Sequence, residues 1–88
     1  MDEDLYSLSA AATELGINQH TLKRWIDEGY MDFGWIWIGQ NRARCLTESQ
    51  LEGLRDTIAA LEKGWSLKTA FKIYWTKMKT QEEKEDEQ

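Results

Sequence analysis

Residues 8–29 read Leu8-Ser-Ala-Ala-Ala-Thr-Glu-Leu-Gly16-Ile-Asn-Gln-His20-Thr-Leu-Lys-Arg24-Trp-Ile-Asp-Glu-Gly29. Ala10, Ala11 and Ala12 are strong helix formers, and Leu8, Ala11, Ala12 and Leu15 give this first helix an apolar face. Ser9 is its expected N-cap, because a serine oxygen accepts a bond from an orphan N–H of the first turn. Gly16 adopts a left-handed backbone without steric penalty and stops the helix. Asn18 is expected to cap a second helix over about residues 19–28, which Gly29 ends. In that helix Leu22, Trp25 and Ile26 fall at i, i+3 and i+4 and turn inward, while His20, Lys23, Arg24 and Asp27 repeat the spacing on the opposite side. Both helices are too short to persist alone in water, so the rest of the domain must hold them. Two short helices on a tight turn, the second with a basic outer face, make a helix-turn-helix, an arrangement that delivers side chains into a DNA major groove.

Outside this stretch the 88-residue chain has length for one small domain. A core of that size is marginal, so association or a ligand is expected to help stabilise it. Five tryptophans supply large apolar side chains, and proline is absent. The single cysteine, Cys45, leaves no internal disulfide and no cysteine-only zinc site. With His20 the lone histidine, neither a metal site nor a cofactor is expected. The N-terminal Met-Asp-Glu-Asp lacks the basic and apolar regions of a signal peptide. No apolar run approaches the roughly 20 residues that span a bilayer. The expected setting is cytoplasmic, in association with the nucleoid.

A net charge of −5 argues against a polyanionic partner until its distribution is considered. Asp2, Glu3 and Asp4 hold three negative charges at one end, and residues 82–87 hold a net −4 at the other, leaving +2 for residues 5–81. For binding a polyanion the local field outweighs the total.

After the two helices, Phe33, Trp35 and Trp37 alternate with Gly34, Ile36 and Ile38, which suits a strand. Gly39-Gln-Asn41 is the turn and 42–46 the return strand, so a hairpin over 33–46 forms a wing. Both faces of its first strand are apolar: one covers the helices, and the other needs a second cover. Thr47-Glu-Ser-Gln50 is a capping box that opens a third helix to Lys63, with Leu51, Leu54, Ile58 and Leu61 as its stripe and Gly64 as its stop. Ser66 caps a fourth helix over about 67–80, with Leu67, Phe71, Tyr74, Trp75 and Met78 on one face. Trp35, Trp37, Trp65, Tyr74 and Trp75 are expected to build the core, with a ligand cage, base stacking or, for any left bare, a protein contact as the alternatives. Residues 82–88 have almost no apolar content, and an acidic, disordered tail is expected over 81–88, beyond a domain at 5–80. The expected fold is mainly α with a small β-hairpin: a winged helix-turn-helix of about four helices plus a wing.

In order and residues the chain resembles the mercury-resistance regulator (MerR) family of winged helix-turn-helix DNA-binding proteins. Tyr6, Leu8, Ala12, Gly16, Ile17, Thr21, Leu22, Trp25 and Gly29 stand at the family's characteristic places from the start of the domain through the second helix. Arg44, Leu46, Thr47, Gln50, Leu51 and Leu54 fit its return-strand pattern, and Gly64-Trp-Ser-Leu67 resembles its Gly-Phe-Ser-Leu junction. The chain departs from the family at Lys23 (usually arginine), Arg24 (an aromatic), Ile26 (an acid) and Leu46 (a tyrosine). Full-length regulators continue into a long dimerisation helix and often an effector domain, whereas this sequence resembles the DNA-binding module alone, as in small members and related excisionases.

The resemblance implies double-stranded DNA as partner and transcriptional regulation as output, without enzymatic activity. Gln19, His20, Thr21, Lys23 and Arg24 are the candidate major-groove residues: glutamine matches adenine's N6 and N7, and arginine or lysine matches guanine's O6 and N7. Thr21 is divided between packing and a phosphate bond. Gln40, Asn41, Arg42 and Arg44 are the candidate wing contacts to backbone or minor groove. Lys68, Lys72, Lys77 and Lys79 extend this surface or are simply solvated. No nucleophile accompanies His20, so no catalytic residue is proposed. Self-association through the aromatics of the fourth helix is expected, because one module makes few contacts. Three alternatives stay open on the same fold: an excisionase-like architectural factor, an anti-repressor or adaptor, and a phage packaging-site recognition subunit.

Overall fold

The first helix begins two residues earlier than the Ser9 cap predicts. Ser7 is the N-cap, its backbone extended and its Oγ accepting from the Ala10 N–H at 3.2 Å. Ser9 lies exposed in the first turn instead. The shift follows from a short strand that the sequence does not announce. Leu5–Ser7 pairs antiparallel with the return strand of the hairpin, Tyr6 opposite Leu46 and Ser7 opposite Cys45. Three residues are too few to display a period of two, and the extended strand leads straight into the cap.

The computed structural model describes residues 4–86, with side chains described through Lys79. Its elements are β1 (Leu5–Ser7), α1 (Leu8–Leu15), α2 (Gln19–Asp27), β2 (Gly34–Ile38), β3 (Asn41–Thr47), α3 (Glu48–Glu62) and α4 (Leu67–Asp86). The three strands form one antiparallel sheet in the order β1-β3-β2.

The turn between α1 and α2 closes as the sequence predicts. Gly16 has φ 71°, its N–H bonds to the Thr13 carbonyl, and the Ile17 N–H reaches back to the Ala12 carbonyl at 3.0 Å. That pair of bonds is the Schellman stop. Asn18 Oδ1 then accepts from the His20 N–H at 2.8 Å and starts α2. The wing hairpin turns on Gly39 and Gln40 alone, since Ile38 and Asn41 already pair. Positive φ occurs only at the first of these two residues, Gly39 at 63°, the φ pattern of a type II′ turn.

The core gathers Leu8, Ala11, Ala12, Leu22, Trp25, Ile26, Met31, Leu46, Leu51, Leu54, Phe71 and Tyr74 from every helix and from β3. Trp25 meets the edge of Phe71 at 5.2 Å between ring centroids, and Tyr30 stacks on the same ring at 5.3 Å. α3 and α4 pack closely because Gly53 lies between them. A Cβ there would stand 3.1 Å from Tyr74 Cδ1 and 3.3 Å from Met78 Cε.

The predicted capping box is present, with Thr47 Oγ1 accepting from the Gln50 N–H and Gln50 Oε1 accepting from the Thr47 N–H. Gln50 also has a second role. Its Nε2 donates to Asp32 Oδ1 at 2.9 Å and to the Tyr74 hydroxyl at 3.1 Å, and that hydroxyl donates to Asp32. One side chain thereby joins the start of α3, the loop before the wing and the middle of α4. Burial and the bond to Asp32 both hold the Tyr74 proton, well above the usual phenol range.

Two expectations change here. Of the aromatic set assigned to the core, only Tyr74 is buried; Trp35, Trp37, Trp65 and Trp75 are exposed. Trp75 follows Tyr74 directly, so one helical step carries it about a quarter-turn off the buried stripe. Its indole N–H donates to the Tyr30 carbonyl at 2.8 Å from the rim. The second change is in α4, whose backbone runs to Asp86 rather than to about 80. No glycine or proline follows Gly64 to stop it. Side chains from Thr80 onward, and residues 87 and 88 altogether, lie outside the described residues, while the backbone of residues 81–86, expected as part of a disordered tail, continues the helix.

Candidate DNA-binding face

α2 turns its polar side outward as its periodicity requires. Gln19, His20, Lys23 and Arg24 are exposed, and Thr21 is half-buried. Gln19 and Lys23 lie one turn apart, as do His20 and Arg24, giving two short parallel rows. Arg24 leans along the helix toward Glu28, with Nε 3.7 Å from Oε2, an exposed pair that holds it only weakly.

The wing brings its arginines to the same side. In the β2–β3 register Arg44 lies opposite Trp35 and Arg42 opposite Trp37, so alternation sends all four to one face. The Arg44 guanidinium bonds Asp27 in the last turn of α2 at 2.8 Å and lies 5.0 Å from the Phe33 ring centre. The Arg42 guanidinium stacks over Trp35 at 4.4 Å. Gln40 and Asn41 are exposed at the tip. Arg44 is thus an anchor between wing and α2 as well as a cation.

A cleft of about 320 Å³ joins the two parts, lined by Ser7, Leu8, Ser9, Gln19, Lys23, Ala43 and Arg44. It collects three of the predicted residues, Gln19, Lys23 and Arg44, beside two hydroxyls from the start of α1. His20, Arg24, Gln40, Asn41 and Arg42 lie outside it. Sequence reasoning did not single out Ser7, placed Asp27 on the outer side of α2 without a partner, and preferred the core for the indoles of Trp35 and Trp37. The alternation of tryptophan in one strand with arginine in the next was the available signal.

At the start of α3, Glu48 engages neighbours from β1 and its own helix. It accepts from the Tyr6 hydroxyl at 2.5 Å and lies 3.9 Å from Arg55. The bond to Glu48 is the main reason the Tyr6 phenol is pushed up to about 12. Cys45 is buried beside Gly34. Among the described residues no group of histidine, cysteine, aspartate and glutamate side chains could hold a metal ion, and no helix is long and apolar enough to cross a membrane.

The family model for the MerR helix-turn-helix regulatory proteins matches residues 6–74. This chain belongs to the MerR family. No curated protein matches it. The matched span covers β1, both helices of the helix-turn-helix, the wing, α3 and the buried half of α4, so the family assignment and the packed domain coincide. As a MerR-family domain the chain is a DNA-binding regulator in general terms. Two of its departures from the family pattern are explained by packing. Leu46 is fully buried under the helices opposite Tyr6, and Ile26 packs in the core beside Trp25.

Proposed function

We propose that this MerR-family domain binds double-stranded DNA sequence-specifically and regulates transcription in the cytoplasm. α2 enters the major groove with Gln19, His20, Lys23 and Arg24 toward base edges and Thr21 toward a phosphate. The wing rests on the flank through Gln40, Asn41, Arg42 and Arg44. The observation that carries this reading is the shared cleft, where Gln19 and Lys23 of the groove helix meet Arg44 of the wing. A duplex laid across that face meets cations from both parts at once. Asp27 and Glu28, acids at the end of α2, are paired with Arg44 and Arg24.

One copy offers a small interface and binds weakly, so adjacent copies are needed for useful affinity. The outer side of α4 suits that association. Trp65 and Ile73 line one depression of about 400 Å³, and Tyr30, Phe71 and Trp75 line another of about 690 Å³, both edged by lysines.

Salt titration of DNA binding tests the reading. Contact with four to six phosphates per copy predicts a log–log slope of roughly −4 to −5. Lys23→Ala combined with Arg24→Ala leaves the Asp27–Arg44 anchor intact and should lower affinity at least tenfold. A flat salt response, or a double variant that binds like the parent, refutes it.

A further inference from the structure

The wing displays two indoles where a small domain gains nothing by exposing them. Trp37 is 70% exposed and Trp35 50%, on one face of the strand. An exposed cluster of large apolar side chains marks an interaction surface. Three features of this one identify its occupant. The register places Trp35 and Trp37 on the same sheet face as Arg42 and Arg44. Arg44 ties that face to α2 through Asp27, so the indoles are continuous with the groove-reading helix. The surface is also a mixed one, apolar and cationic, because the exposed Arg42 guanidinium lies over the Trp35 ring. An apolar protein partner covering it would strip water from an arginine and offer no anion in return. DNA meets both demands, with phosphates for the guanidinium and deoxyribose and base edges for the indole.

We propose that Trp37, backed by Trp35, is a direct DNA contact of the wing. Its indole lies in the minor groove flanking the major groove that α2 enters, against the sugars and base edges of one step. The inference rests on the DNA-binding reading above and adds to it an apolar contact. The short hairpin suits the insertion: Trp37 is two residues from Gly39, where the chain reverses in a two-residue turn. The indole therefore projects close to the tip rather than from the middle of the sheet. Minor-groove proteins use apolar side chains in this way to open a base step and bend the duplex.

An apolar contact leaves a signature different from that of an ionic one. The probe is a short mixed-sequence DNA duplex labelled at both ends, read by anisotropy across a salt series and by energy transfer between the ends. Trp37→Ala should weaken binding about 5- to 100-fold with an unchanged salt slope, and should lengthen the end-to-end distance of the bound duplex. Trp37→Phe should recover part of both losses. Arg42→Ala should flatten the slope by about 0.9. Since Trp37 is an exposed residue, an unchanged thermal midpoint establishes that the variants are folded. Parent-like affinity of Trp37→Ala overturns the proposal, as does a loss that appears wholly as a change of salt slope. If the parent itself binds no duplex at any salt, the DNA reading falls with it. Loss in Trp37→Ala at an unchanged salt slope is the supporting result, and parental binding that survives this variant rejects this contact alone.

Discussion

Asp27→Asn should strengthen DNA binding while weakening the fold. In the free protein the Arg44 guanidinium is held by Asp27 at 2.8 Å, with the two side chains 28% and 47% exposed. Two unit charges at that distance attract by about 1.5 kcal/mol at the dielectric of water. Ordering two side chains offsets part of this, and pairs of this exposure contribute at most about 1 kcal/mol. If Arg44 exchanges Asp27 for a phosphate on binding, that same quantity opposes the complex. Removing the carboxylate then lowers stability by about 1 kcal/mol and raises affinity about fivefold, since 1.4 kcal/mol is a factor of ten. Urea unfolding measures the first quantity and anisotropy of a labelled duplex the second. In an Arg44→Ala background the gain in affinity should shrink below about twofold, because only screened repulsion between Asp27 and DNA is left. Weaker binding by Asp27→Asn would refute the exchange. It would mean that Asp27 orients Arg44 in the complex and that the two stay paired on DNA.

Four further outcomes follow from the core and the ends of the chain. Tyr74→Phe removes the hydroxyl shared by Asp32 and Gln50 and should destabilise the domain by about 1.5–3 kcal/mol in urea, while Gln50 keeps its bond to Asp32. Both perturbed phenols have raised values, Tyr6 to about 12 and Tyr74 well above its usual range. Their stabilisation is therefore full below the unfolded-state value near 10 and is lost as pH rises beyond it, so the urea midpoint should fall above about pH 10, less steeply in Tyr74→Phe. Trp25→Ala empties the centre of the core beneath Phe71 and should cost about 3–5 kcal/mol; a near-neutral result would show that α2 is wrongly phased. Deleting residues 81–88 removes an acidic run and should tighten binding to mixed-sequence DNA at low salt, whereas unchanged affinity would deny that the run screens the basic face.

Much of the domain was legible in the residues because its signals are local. Gly16, Asn18, the Thr47–Gln50 box and Ser66 act within one helical turn, and each performs its expected task. The inward stripe of α2 follows from spacing alone. The Ser7 cap was displaced because it depends on β1, whose pairing partner lies about forty residues away in β3. The tryptophans were misplaced for a related reason. Size and hydropathy say that an indole gains by burial, but the side of the sheet or helix on which it stands decides whether a cover exists.

The sequence by itself determined the order of helices, the wing, the polar face of α2 and membership in the MerR family, since caps, turns and 3.6-residue spacing are written within a few neighbouring positions. Only the tertiary structure decided which cations meet. Arg44 finds Asp27 across 17 residues, and Gln19 and Lys23 share a cleft with the wing. Such pairings depend on how the hairpin packs against the helices, a distance that sequence separation does not encode. The same packing leaves Trp35 and Trp37 uncovered beside the arginines, and so turns an apparent core strand into the apolar half of a proposed DNA contact.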